Sequence, residues 1–316
     1  MKLYHTIPDG DLFTNPVVTI GNFDGVHLGH RKIFSVLEQT AKRVNGEAVV
    51  ITFSSHPRKV LNPNISTHVL TTTDEKVNAI FRLGISNIVL LNFTAEMASM
   101  DAQDFYNDIL IRKLDVKEIV IGYDHTFGRD REGNYDFLSR QSLKTGISVT
   151  RVGEMLIHDR PVSSTWIRHR IEEGDISTAA MLLGRNYSVS GTVISGDGRG
   201  KDLGFPTANI LPSDTDKLIP CDGVYAVKVE MNKSITRYGM LNIGNNPTFS
   251  GRERSIEVHI FDFNEKIYGT EITIEFLDRI RDVKKFPSRE DLIARIRRDE
   301  ITAREIIREK IDEQGG

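Results

Sequence analysis

The 316-residue chain carries a single cysteine, Cys221, which excludes an internal disulfide framework and any zinc site built from several cysteines. Standing alone, that cysteine reads as a small buried hydrophobe rather than a nucleophile. An excess of charge of one sign is also missing: 41 lysines and arginines face 44 aspartates and glutamates, a formal net charge of -3. No broad electropositive field follows, so nucleic acid and anionic membrane are poor candidate partners. Long hydrophobic runs are absent too. The apolar stretches fall far below the ~20 residues that span a bilayer, and Asp9 and Asp11 interrupt the weak apolar signal near the N-terminus. These absences lead us to expect a cytoplasmic protein with no nucleic acid or membrane partner; small-molecule substrates and a monomer or weak homo-oligomer are the accompanying expectations. The length exceeds what one hydrophobic core usually holds, so two domains are expected.

What is present falls into two textures. In the first, short apolar runs at Val17–Ile20, Glu47–Phe53, Asn87–Phe93, Lys117–Tyr123 and Ile147–Val152 alternate with helical patterns. The first helix carries a stripe of Ile33, Phe34, Leu37, Ala41 and Val44, with Gly46 as its C-terminal cap. Another runs over about Asp74–Leu83 behind Thr72 and Glu75, which have capping-box spacing. Others cover Phe105 to Leu114, Ser164–Glu172 and Ile176–Leu183. This alternation predicts an α/β domain, a parallel sheet covered on both faces, with ligands beyond the carboxyl ends of the strands. From Tyr187 to Asp278 the segments become short, alternating and punctuated by Gly, Asn or Pro, as at Ser188–Ile194, Val224–Glu230, Ser255–Phe261 and Glu271–Phe276. That texture suits an antiparallel β-barrel. A final helix over about Ser288–Glu313 offers Leu292, Ile296, Ile301 and Ile306 as its apolar face. The expected domains are residues 1–184 and 185–316.

The first candidate site follows the first strand: Gly21-Asn22-Phe23-Asp24-Gly25-Val26-His27-Leu28-Gly29-His30. Gly21, Gly25 and Gly29 permit a tight turn and close backbone approach to phosphate, and a helix starting near Leu28 aims its positive end at an anion. His27 and His30, three apart, project from one face and are placed to bind phosphates and stabilise charge on a transferring phosphorus. Three further stretches lie on the ligand side. Thr52-Phe53-Ser54-Ser55-His56-Pro57-Arg58 follows a strand, and Gly122-Tyr123-Asp124-His125-Thr126-Phe127-Gly128 offers a carboxylate and aromatics to a flat ring. Ser163-Ser164-Thr165-Trp166-Ile167-Arg168 opens a helix with capping hydroxyls and an arginine.

The second candidate site is Gly198-Arg199-Gly200-Lys201-Asp202-Leu203-Gly204-Phe205-Pro206-Thr207-Ala208-Asn209. It is not a P-loop, because Ser195 stands where the first glycine belongs and Asp202 where Ser or Thr belongs. A glycine-rich loop around Gly200 and Lys201 can still enclose phosphates. Thr207 and Asn209, two apart on a strand, face one way and can complete the oxygen shell of Mg²⁺. Further on, Ile256, Val258 and Ile260 share one face of a strand and leave Glu257 and His259 on the other.

The first string resembles the phosphate motif of cytidylyltransferase-like nucleotidyltransferases. Taken in order with the later stretches, it resembles the FMN adenylyltransferase module of prokaryotic bifunctional riboflavin kinase/FAD synthetases. Gly204-Phe205-Pro206-Thr207-Ala208-Asn209 is similar to the riboflavin kinase signature, supported by Gly223-Val224-Tyr225, Asn242-Ile243-Gly244, Pro247-Thr248-Phe249 and Ile256-Glu257-Val258-His259. Ser54-Ser55 stand where that family often has Glu-Pro, His125 where many members have phenylalanine, and Asp282 where glutamate is usual.

The resemblance implies a Rossmann-like first domain, a kinase barrel, ATP as co-substrate, and riboflavin, FMN and FAD as substrates or products. It further implies that Ser164, Thr165 and Arg168 hold the triphosphate, that Asp124 contacts nucleotide or flavin, and that Glu257 is the general base. Arg279-Ile280-Arg281 and Lys284-Lys285-Phe286 would form a flavin-side flap. Two competing readings are a transferase with another phosphorylated acceptor, against which the barrel half argues, and a non-catalytic flavin-binding protein. The latter predicts altered phosphate residues, yet His27, Gly29, His30, Thr207, Asn209 and Glu257 are all present.

Overall fold

The computed structural model describes residues 1–8, 12–55, 60, 68–196, 198–232, 235–248 and 251–315. The chain forms two compact units, Met1–Ser164 and Thr165–Gly316.

The first unit is built on a six-stranded sheet of order β1-β4-β3-β2-β5-β6, every pairing parallel. Its strands are β1 (Lys2–Tyr4), β2 (Val17–Ile20), β3 (Ala48–Phe53), β4 (Asn87–Leu91), β5 (Glu118–Gly122) and β6 (Ser148–Val152), and a small antiparallel pair, β7 (Leu156–Ile157) and β8 (Arg160–Pro161), follows them. All residues of β2, β4 and β5 are buried, as expected of strands covered on both faces. Alternate residues feed two cores. Val18, Ile20, Val49 and Ile51 face a cluster with Phe105, Tyr106 and Leu110. Val17, Val50 and Val120 face another with Phe34, Leu37 and Val77.

Helix α1 (Leu28–Arg43) lies in the second cluster through Phe34, Leu37 and Ala41. Its end departs from expectation: the left-handed residue is Asn45 (φ 49°), not Gly46. Gly46 donates to the Ala41 carbonyl, and it is needed because a Cβ there would run into the Asn15 backbone. Helix α2 (Thr73–Arg82) has the full capping box, with Thr72 Oγ1 accepting from Glu75 N and Glu75 Oε2 from Thr72 N. The stretch Phe105–Lys113 winds as a π-helix with Phe105, Tyr106, Ile109 and Leu110 buried. Helix α3 (Tyr135–Thr145) precedes β6.

The second unit opens with α4 (Ser164–Glu172) and α5 (Ile176–Leu183). A closed barrel follows, of order β10-β13-β12-β11-β14-β9, antiparallel throughout. Its strands are β9 (Tyr187–Ile194), β10 (Ala208–Pro212), β11 (Gly223–Met231), β12 (Ile235–Thr248), β13 (Gly251–Ile260) and β14 (Glu271–Arg281). Closure removes exposed edges. Helix α5 packs on β14 and β9, so compactness groups α4 and α5 with the barrel although the change of texture falls at Gly184.

Helix α6 (Arg289–Gly315) packs on β11, β12 and β14. Ile301 is a correction, being 60% exposed. The stripe against the barrel runs through Ile296, Asp299, Ala303 and Ile307 instead. Asp299 hides that register from a reading of apolar residues, because a carboxylate occupies a buried position. It is held there by Arg281 (2.6 Å) and Arg295 (2.9 Å).

Candidate functional sites

The loop after β2 is shaped by backbone few sequences adopt. Phe23, Gly25 and Val26 all have positive φ, at 50°, 84° and 43°. The strain is held by a buried carboxylate. Asp24 is 3% exposed and accepts from Leu70 N (3.0 Å), Thr71 N (3.0 Å) and Thr71 Oγ1 (3.2 Å). Thr71 Oγ1 in turn accepts from Gly25 N at 3.0 Å. Ser164 Oγ donates to the Asp24 carbonyl (2.9 Å), which brings the first residue of α4 to the loop. Thr165 and Arg168 follow along that helix.

A buried lysine completes the frame. Lys76 of α2 is 5% exposed and donates to the Asn22 carbonyl (3.1 Å) and the Phe53 carbonyl (2.5 Å). Thr52 Oγ1 donates to the Asn22 carbonyl as well, at 3.2 Å. Desolvation lowers the Lys76 pKa to about 8 against the raising effect of Asp24.

Upon this frame His27 is the N-cap of α1, its side chain making no cap bond. The rings of His27 and His30 stack with centroids 3.6 Å apart and planes 21° apart. Phe23 supports His30 edge-on at 5.2 Å. Gly21 and Gly29 are required by closeness, since a Cβ at Gly21 would stand 2.8 Å from the Phe23 ring and one at Gly29 3.1 Å from the His27 ring. The geometry sets two imidazoles and a helix N-terminus at the carboxyl end of β2, where an anion gains most from both.

At the end of β5, Asp124 is exposed, whereas Phe127 packs against Phe105 (5.4 Å) and Phe137 (5.9 Å). His125 stacks on Phe127 at 5.8 Å. Its buried Nε2 has no hydrogen-bond partner, and desolvation lowers its pKa to about 4. It is therefore an uncharged ring at neutral pH that packs as an aromatic against Phe127. Ser54 and Ser55 bond to the Leu91 and Phe93 carbonyls. His56, Pro57 and Arg58 lie outside the described residues.

In the barrel, Asn209 of β10 pairs directly with Glu257 of β13, and Glu257 with Asn242 of β12. Residues opposite each other share a sheet face, so the three side chains line one side. Ile256, Val258 and Ile260 are buried on the other, as their alternation predicts. Glu257 Oε2 accepts from Thr207 Oγ1 (3.3 Å) and Oε1 from Ser255 Oγ (3.1 Å). His259 Nδ1 meets the Pro206 carbonyl at 2.7 Å, tying the start of β10 to β13.

Gly200 and Lys201 lie in a single helical turn, Arg199–Asp202, after Gly198 at φ 72°. A Cβ on Gly196 would collide with the Asn209 amide, and one on Gly200 would stand 3.0 Å from Thr207 Oγ1. The glycines thus leave room around a hydroxyl and an amide beside a carboxylate. Among the described residues no cluster of three or more His, Cys, Asp and Glu is set to hold a metal. Arg279 donates to the Asp222 carbonyl (2.8 Å) and pairs with Asp282 (2.7 Å), while the Arg281 guanidinium lies 5.7 Å over the Phe286 ring. Phe249 lies outside the described residues.

Reading of the sequence gave no role to Asp24, Thr71 or Lys76. One signal was available for Lys76: it breaks an apolar stripe that includes Val77 and Ile80, both buried.

Comparison with known proteins gives a family for each half of the chain. The FAD synthetase family model matches residues 11–166 and the riboflavin kinase family model residues 183–307. A bifunctional riboflavin kinase/FMN adenylyltransferase of Buchnera aphidicola is 38% identical, covering 92% of each chain. The Bacillus subtilis protein of that description is 36% identical over 90% of each. A solved structure named a macrolide-efflux protein from Streptococcus pneumoniae superposes with a TM-score of 0.84 at 34% identity, covering 95% of both chains. On this identity and coverage, the chain belongs to the bifunctional riboflavin kinase/FMN adenylyltransferase family.

Proposed function

We propose that the protein makes FAD from riboflavin in two ATP-dependent steps: riboflavin to FMN at the barrel site, then FMN to FAD plus pyrophosphate at the loop after β2. The observation that carries this reading is the joint presence of the stacked His27–His30 pair and the Thr207–Asn209–Glu257 cluster in one chain. We assign adenylyl transfer to residues 1–184 and the kinase to residues 185–316.

In the kinase step Glu257 takes the proton of the riboflavin 5′-hydroxyl as that oxygen attacks the γ-phosphorus of ATP. Thr207 and Asn209 would hold Mg²⁺, for which neutral oxygens suit a cation that also takes phosphate oxygens. When bound, that ion neutralises phosphate charge. Gly200 and Lys201 close over the phosphates, and Arg279 and Phe286 border the flavin.

In the second step the phosphate of FMN attacks the α-phosphorus of ATP. His27 and His30, placed by Gly21, Phe23, Gly25 and Gly29, stabilise the charge gathering there. Ser164, Thr165 and Arg168 hold the triphosphate. Asp124 contacts the flat ring, and Phe127 anchors the turn that presents it. ATP as donor for both steps supports a cytoplasmic setting, and a monomer or weak homo-oligomer suffices.

An efflux role is not carried over from the pneumococcal structure. That name is said of the pneumococcal protein alone, and the family models that match this chain are those of FAD synthetase and riboflavin kinase. Purified protein given riboflavin, ATP and Mg²⁺ should yield FMN and then FAD on chromatography. Folded protein that makes no FMN would remove the kinase assignment.

A further inference from the structure

Arg31 sits one turn into α1, four residues after His27 and next to His30. Its Nε is buried without a hydrogen-bond partner. Desolvation lowers its pKa, and no carboxylate offsets that effect. A guanidinium partly withdrawn from water, with its Nε unpartnered, is an arrangement that a bound anion would relieve.

The side of the helix identifies which anion. At ~100° per residue, α1 presents His27, His30 and Phe34 along its middle, with Gly29 and Ile33 on one flank and Arg31 and Glu38 on the other. Contacts fix both flanks. A Cβ on Gly29 would stand 3.5 Å from the Val162 carbonyl, and Ile33 Cδ1 lies 3.0 Å from the Cβ position of Gly122 at the end of β5. That flank faces the segment leading to Ser164, the proposed start of the triphosphate clamp. Glu38, two turns after Arg31, lies 2.7 Å from the Cβ position of Gly84, just beyond α2. Arg31 therefore stands across the histidine pair from Ser164.

Adenylyl transfer is an in-line displacement. An oxygen of the acceptor phosphate forms a bond to the α-phosphorus, the bond from that phosphorus to the bridging oxygen of pyrophosphate breaks, and pyrophosphate takes the electron pair. Attacking and leaving oxygens lie on opposite sides of the transferring phosphorus. With the leaving group on the Ser164 flank, the acceptor enters from the flank of Arg31. We infer that Arg31 binds the phosphomonoester of the acceptor, FMN, and sets it for attack between His27 and His30. The inference rests on the adenylyltransferase reading above.

Steady-state kinetics on full-length Arg31→Gln and Arg31→Lys test it, with FMN and ATP varied separately. Loss of a charge-assisted contact predicts a KM for FMN raised about ten- to hundredfold in Arg31→Gln. The KM for ATP should stay within about twofold, with partial recovery in Arg31→Lys. FMN formation from riboflavin should be unchanged, and the retained KM for ATP in FAD formation reports that the first unit is folded. An unchanged KM for FMN, or a rise confined to ATP, overturns the assignment. Should Arg31→Gln not fold, Arg31→Lys alone decides by the same KM split. His30→Ala separates the two levels: if it abolishes FAD formation while Arg31→Gln leaves the KM for FMN intact, only the Arg31 role falls. If His30→Ala retains FAD formation, the underlying reading falls.

Discussion

Replacing Lys76 with methionine should damage FAD synthesis far more than it damages the fold, and the structure lets both effects be sized. In the unfolded chain this amine titrates near 10.5, in the folded one near about 8, because burial disfavours its charge. At about 1.4 kcal/mol per pH unit that gap corresponds to roughly 3 kcal/mol. Below pH 8 both states are protonated and the whole cost is present. Between about 8 and 10.5 the unfolded chain binds more protons, so the contribution to stability rises with pH, and above 10.5 the cost is gone. Methionine of similar length removes it. The same change takes the lysine donor from the Phe53 carbonyl, at about 1–3 kcal/mol, leaves the Asn22 carbonyl with Thr52 Oγ1 alone, and removes the cation near Asp24. These effects nearly cancel, so Tm should move by only a few degrees, at roughly 2–4 °C per kcal/mol. Placement of the loop has no such compensation. A shift of about 1 Å at a reacting centre costs on the order of a hundredfold in rate. FAD formation from supplied FMN should therefore fall ten- to hundredfold, with FMN formation from riboflavin unchanged. The wild type should lose FAD activity as pH rises through about 8, an inflection missing from Lys76→Met. Wild-type FAD rates in Lys76→Met, or the same inflection in that variant, would refute the argument.

His30→Ala should abolish FAD formation and spare FMN formation, both read by chromatography of one reaction. Glu257→Gln should give the reverse, losing conversion of riboflavin while supplied FMN is still adenylylated. Gly196→Ala places a methyl on the Asn209 amide, so riboflavin kinase activity should drop at least tenfold, by the same distortion cost, at unchanged FAD formation from FMN. Asp299→Ala leaves the Arg281 and Arg295 cations without the carboxylate that both pair with. A thermal melt should show a loss of about 3–5 kcal/mol, and an unchanged melt would show that the buried pair contributes nothing net.

Legibility differed by kind of interaction. Elements whose signal is local were readable: the capping box at Thr72 and Glu75, the period-two strand at Ile256–Ile260, the helix start at Leu28. The pairing of His27 with His30 was readable too, because a spacing of three puts two side chains on one face of a helix. What stayed hidden was contact between residues distant in the chain. Asp24 takes its role from Leu70 and Thr71, 46 and 47 residues away, and Lys76 from Asn22 and Phe53. Ile301 was misplaced for a related reason: Asp299 holds a core position that only its ion pairs with Arg281 and Arg295 make tolerable. His125 shows the converse case, a polar residue that burial renders uncharged, so a departure from the family pattern leaves the aromatic packing intact.

The two proposed sites hold a carboxylate each, Asp24 and Glu257, in opposite ways, and the proposed reactions explain why. A phosphate nucleophile has a second pKa near 6, so FMN arrives at neutral pH already ionised and needs no base. Carboxylate near it would only repel. At the first site Asp24 is accordingly buried and saturated by backbone and hydroxyl donors, a part of the frame, while the groups presented to the ligand are imidazoles and a helix N-terminus. An alcohol nucleophile carries a proton that must leave as the new bond forms, so the kinase site needs a basic oxygen within reach. In the proposed kinase step Glu257 meets that need. It stays half-exposed, oriented by two neutral hydroxyls at 3.1 and 3.3 Å. Exchanging these arrangements would disable both steps, since a free carboxylate beside His27 would repel FMN and a saturated one at position 257 could accept no proton. The division of chemistry between the two units is thus written in how each treats a single negative charge.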